Sequence, residues 1–119
     1  MLASIRNGSP LLYFEKMDRA KGILYFAGTE VVISKGGKET FAIQLLDALQ
    51  KSLGQFLFED EILTDWGYTD DEQKQLPKNR VYHAALKANE EVQKATRVTD
   101  FIEHTTDKFR INPKYLKSL

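Results

Sequence analysis

The fold turns on residues 38–68, KETFAIQLLDALQKSLGQFLFEDEILTDWGY. Phe41, Ile43, Leu45, Leu46 and Leu49 recur at helical spacing, which predicts an amphipathic helix ending near Leu53 and Gly54. A short apolar stretch, Phe56 to Phe58, leads into Glu59 to Trp66. Its acidic first turn suits the positive end of a helix dipole, and Gly67 stops it after about two turns. Tyr68 to Pro77 reads as a polar loop.

Upstream lie three short runs of aliphatic and aromatic residues: Leu11 to Phe14, Ile23 to Phe26, and Val31 to Ile33. They are parted by Asp18 to Gly22 and Ala27 to Glu30, where Gly22 and Gly28 suit tight turns, so a small antiparallel meander is expected. Lys35, Gly36 and Gly37 break it from the first helix. Met1 to Pro10 shows little periodicity and reads as a tail or linker ahead of one domain over 11–119. Downstream, Val81, Ala85, Ala88 and Val92 draw a narrow apolar stripe, which predicts a helix of roughly 15 residues from Lys78 to about Lys94. Phe101 and Ile102, then Phe109 and Ile111, flank Thr105 to Lys108 in the manner of a β-hairpin, with Pro113 closing the last strand. The expected fold class is α+β: three strands, three helices and a terminal hairpin.

The composition, 42% hydrophobic and 11% aromatic over 119 residues, is that of one globular domain rather than a disordered chain. Seventeen basic residues balance seventeen acidic ones, so no overall field favours nucleic acid or anionic lipid, and such a partner must be met by a local patch. The absence of cysteine removes disulfides, thiolate nucleophiles and Cys-rich zinc sites, and suits a reducing compartment. No apolar run reaches the roughly 20 residues of a membrane span, and no leader pattern opens the chain. The expectation is a soluble, cytoplasmic protein with no membrane partner.

No nucleophile, base and orienting acid fall into a catalytic arrangement, so an enzyme is not expected, and no cofactor motif is present. His83 and His104 lie in different elements with only Glu103 beside them, which does not make a metal site. Gly36 and Gly37 precede a helix but lack the surrounding pattern of a phosphate loop. Seven carboxylates between Glu59 and Glu72 lack the ligand spacing of a calcium loop. They read as a solvated face or as a contact for a basic protein partner. From Gln73 to Leu119, ten basic residues stand against five acids, which makes the C-terminal part locally basic.

In this order the elements resemble the winged helix-turn-helix effector domain of the OmpR/PhoB class of transcriptional response regulators, over roughly Leu11 to Leu116. Lys38 to Leu46 is similar to the family's first helix. Gly54, Phe56, Leu57, Glu59 to Leu63, and Trp66, Gly67, Tyr68 are similar to the segment that follows it. Val81, His83, Ala85, Ala88 and Val92 occupy the apolar positions of its recognition helix, and Ile102 with Phe109, Arg110 and Ile111 resembles its hairpin wing. The resemblance implies sequence-specific binding of double-stranded DNA and a role in transcription regulation, with the recognition helix in the major groove. Lys78, Arg80, Lys87 and Lys94 would then meet phosphates, Asn79, His83 and Asn89 would read bases, and Lys108 and Arg110 would serve the wing.

A second reading keeps the fold and replaces DNA by a protein, making the domain an interaction or dimerisation module, with a homodimer left open. The family's Arg-rich helix centre is here Lys87, Ala88, Asn89, Glu90, Glu91, and the hairpin tip carries Asp107 without glycines. What separates the readings is the side on which Glu90 and Glu91 project: on the face of Lys87 they oppose phosphate binding.

Overall fold

The computed structural model describes residues 13–76 and 79–116. The tail or linker expected at Met1 to Pro10, and Lys78, lie outside them. Four α-helices and two small antiparallel sheets make an α+β architecture.

Strands β1 (Phe14–Asp18), β2 (Ile23–Phe26) and β3 (Thr29–Val32) form the expected meander in the order β1-β2-β3. The first strand begins at Phe14 instead of occupying Leu11 to Phe14, and Leu11 and Leu12 lie outside the described residues. Within the sheet β1 pairs with β2, and Phe14 adds one isolated parallel bridge to Leu116; the exposed Glu15 and Lys16 sit on this edge strand, where charge is tolerated and discourages further pairing. Phe26 opposes Thr29 across a two-residue turn of Ala27 and Gly28, with Gly28 at φ 78°. Gly37 is required for a different reason: at φ 74°, an added Cβ would lie 1.8 Å from the Ala20 carbonyl oxygen.

Helix α1 (Phe41–Gln50) opens at Thr40, whose hydroxyl accepts the Ile43 N–H at 3.2 Å. Ala42, Ile43, Leu45, Leu46, Ala48 and Leu49 are all buried, so this helix lies at the centre of the core. The stretch after it contains a strand, β4 (Leu57–Phe58), which pairs with the C-terminal hairpin. Helix α2 (Glu59–Asp65) starts with the Glu61 carboxylate accepting the Phe58 N–H at 2.8 Å.

The segment expected to be a polar loop contains a fourth helix, α3 (Asp70–Gln75), so the expected count of three is corrected. It buries no residue, and local chemistry holds it. The Thr69 hydroxyl accepts the Glu72 N–H at 3.2 Å, the Glu72 carboxylate accepts the Thr69 N–H at 2.9 Å, and three acids fill the first turn.

Helix α4 (Arg80–Thr96) runs 17 residues and begins two residues later than expected, after Asn79 in the left-handed region at φ 67°. Its buried stripe is Val81, Ala84, Ala85, Ala88 and Val92. The three alanines let it pack closely on α1 and β3. Strands β5 (Ile102–Thr105) and β6 (Lys108–Ile111) form the expected hairpin, and β4 completes a sheet in the order β4-β6-β5. Pro113 follows the last strand by opening a 3-10 turn through Tyr115. Phe14, Phe26 and Phe101 meet with ring centroids 5.1–5.9 Å apart, which joins the meander to the segment leading into β5.

Candidate interaction surface: α4 and the hairpin

One side chain hydrogen-bonds α4 to β5. Phe101 C=O accepts the Asn112 N–H at 2.8 Å, so by the alternation of antiparallel pairing the main-chain groups of Ile102, opposite Ile111, point away from β6. Asn89 satisfies both of them, donating to Ile102 C=O at 3.0 Å and accepting from Ile102 N–H at 2.8 Å. Its amide is therefore committed inside the domain rather than free to reach a base edge.

The other sequence-predicted residues fall into three settings. Asn79 and His83 are exposed. Lys87 and Lys94 are exposed but paired. Lys87 Nζ lies 2.6 Å from Glu91 and 3.6 Å from Glu90, and Lys94 Nζ lies 3.7 Å from Glu91 and 3.9 Å from Glu90. The hydrogen bond to Glu91 raises the Lys87 ammonium above its ordinary value and, in return, lowers the Glu91 carboxyl. Arg80, Lys108 and Arg110 are held against rings. The Arg80 guanidinium carbon is 4.6 Å from the Phe41 centroid, and Lys108 Nζ is 5.4 Å from that of Phe58. Arg110 stacks 4.2 Å over Phe56, bonds Glu103 at 2.6 Å and reaches the Gly54 carbonyl at 3.3 Å.

Two exposed residues, one in α4 and one capping it, escaped the sequence reading. Leu86 is 46% exposed, and the available signal was an apolar residue one position off the Val81, Ala85, Ala88, Val92 stripe. Arg97 closes the helix in the left-handed region, its N–H bonded to the Gln93 carbonyl at 2.9 Å. His104 is exposed on β5, stacked 4.8 Å from Phe109 and tilted against Tyr82 at 4.9 Å.

The acidic stretch is divided by the fold. Glu59, Asp60, Glu61 and Asp70 join Asp107 and Lys74 around an open cleft of about 900 Å³. Burial, reinforced by Asp107, raises the Glu59 carboxyl. Asp65 faces elsewhere and pairs with Lys51 at 3.0 Å.

Beside Phe41, a smaller groove of about 380 Å³ runs between the start of α1 and the first half of α4. Phe41 also stacks on Trp66 with centroids 5.3 Å apart. Two donors at this stack, Arg80 Nε and Trp66 Nε1, are buried with no acceptor. Among the described residues, no group of three His, Asp or Glu side chains is placed to hold a metal ion, and no helix is long and apolar enough to cross a membrane. No family model, curated protein or solved structure matches the chain.

Proposed function

We propose that the chain is a winged-helix domain, with β5–β6 as the wing and α4 in the place of the recognition helix, whose outward face serves a protein partner rather than duplex DNA. Supporting the architecture are the order of the elements and the side-by-side packing of α4 and the hairpin. The observation that carries the function is the position of Glu90 and Glu91, both within 4 Å of the two lysines meant for phosphates.

Exposed ion pairs contribute little to stability, about 0–1 kcal/mol, so four such contacts on one face are chiefly a statement about the surface. A phosphate backbone entering this face must compete with two carboxylates for the same ammonium groups. The charge left over is small. Arg80, Lys87, Lys94 and Arg97 stand against Glu90 and Glu91 on the helix, and Lys108 and Arg110 against Glu103 and Asp107 on the hairpin. So small a net charge draws a phosphate backbone only weakly, whereas DNA-binding proteins that make about 6–10 phosphate contacts gain much of their affinity from the counterions those contacts release. The exposed Leu86 in the middle of the helix suits a protein contact.

Duplex DNA is the second reading. The observation on its side is the row of four cations along α4, ending at Arg97, which has no ion pair among the described residues. Fluorescence anisotropy with random duplex DNA at low and then physiological salt separates the two. The protein reading expects no saturable binding at physiological salt, and salt-sensitive binding gained by Glu90→Gln with Glu91→Gln. Binding by the unaltered chain, with a salt slope that falls by about one unit on Lys87→Ala, overturns it.

A further inference from the structure

The groove beside Phe41 combines three properties that select a ligand. Its floor is apolar, made by Ile33, Phe41, Ala42 and Ala84. Its polar lining includes the basic side chains Arg80, Lys87 and His83, and no carboxylate lines it. One of those cations is incomplete: Arg80 Nε is buried and has no acceptor. The guanidinium presents a fixed fork of N–H donors, and a carboxylate is the group whose geometry and charge match it.

We propose that this groove docks a short segment of a partner protein in which an apolar side chain stands next to a carboxylate. The apolar side chain covers the floor between α1 and α4, and the carboxylate oxygen accepts from Arg80. Lys87 is already shared with Glu90 and Glu91, so Arg80 carries the selection for negative charge. A basic or neutral segment would leave the guanidinium unanswered and gains nothing from the rim. At about 380 Å³ the groove is at the small end of the range for ligand sites, which fits one anchoring side chain and its neighbours rather than a whole domain face. An affinity in the range of roughly 1–100 µM follows from so small a contact.

This inference rests on the protein-docking reading above. It is tested by displaying a library of random short peptides against the full chain, then titrating the enriched peptides. Enrichment of Asp or Glu next to Leu, Phe or Trp supports it, provided that Arg80→Gln weakens binding by roughly 10- to 100-fold. His83→Glu, which puts a carboxylate on the rim at an exposed helix position, keeps the test sharp if Arg80→Gln loosens the Phe41 stack. No enrichment, enrichment of basic peptides, or binding indifferent to both variants overturns the site while leaving the protein-docking reading intact. Self-association by sedimentation that Arg80→Gln abolishes would assign the groove to a second copy of the chain and overturn the foreign segment. Failure of the underlying reading shows separately, as salt-sensitive binding of duplex DNA by the unaltered chain.

Discussion

Asn89→Ala gives the sharpest test of how α4 is attached to the hairpin. The amide makes two hydrogen bonds, at 3.0 and 2.8 Å, to the two main-chain groups of Ile102 that face away from β6. Each bond contributes about 1 kcal/mol net, and a part-buried group left unpaired costs about 1–3 kcal/mol. Water reaches a site beside a half-buried asparagine more easily than a sealed core, so the expected loss is about 2 kcal/mol rather than the upper sum. For a domain of this size, that lowers the melting temperature by roughly 8 °C. Urea unfolding followed by circular dichroism reads it, with the midpoint shifted and the slope unchanged. Gln93→Ala, at an exposed position of the same helix, serves as the control and is expected to stay within about 0.5 kcal/mol. If Asn89→Ala is as mild as the control, the fastening has no energetic weight and the side chain is free for another task, base contact included.

Tyr115 donates to Asp100, and burial together with that carboxylate pushes its phenol up to about 12 from 10.0. A phenol raised on folding stabilises fully below the unfolded value and loses that contribution as pH rises from about 10 to about 12. The stability difference between the unaltered chain and Tyr115→Phe is therefore expected to be constant up to about pH 10 and to shrink above it; a difference that grows with pH would refute the assignment. Gly37→Ala is expected to cost more than about 2 kcal/mol by urea unfolding, because strain at positive φ is joined by a collision with the Ala20 carbonyl. Gly28→Ala, with the same sign of φ and open space around it, is expected to cost about 1 kcal/mol, and equal losses at the two sites would count against the close approach at Gly37.

The elements easiest to read from sequence were those whose burial pattern is carried by their own residues. Leu45, Leu46 and Leu49 mark α1 because they fall on its buried face, and Phe101 to Ile111 reads as a hairpin because its apolar positions flank a polar turn. α3 went unread because it buries nothing, and its evidence is a Thr69 and Glu72 pair inside an otherwise solvent-like run. β4 is two residues long and exists through its pairing with β6, some fifty residues away, which no local pattern reports. Asn89 has the same difficulty. An asparagine on a helix face is equally ready for a base or a backbone, and only the position of β5 decides between them.

The charge layout of α4, by contrast, follows from its stripe. With Ala88 facing the core and about 100° between successive residues, Glu91, Arg80, Lys87, Lys94, His83 and Glu90 all fall within one sector of roughly 100°, from about 60° to about 160° on the same side. Cations and carboxylates on one sector at spacings of three and four neutralise each other before any partner arrives. Leu86 falls beyond that sector, at about 160° on the other side and one turn from Glu90, and Arg97 caps the helix in the left-handed region. The helix therefore presents two unlike surfaces. One is a self-paired strip whose phosphate affinity depends on two glutamates, and it borders the Phe41 groove through His83, Arg80 and Lys87. The other is an outer edge with an apolar residue and a cation. Removing the two glutamates frees Lys87 and Lys94 and leaves the outer edge as it is, which is why Glu90→Gln with Glu91→Gln is the variant expected to gain salt-sensitive duplex binding under the protein-docking proposal.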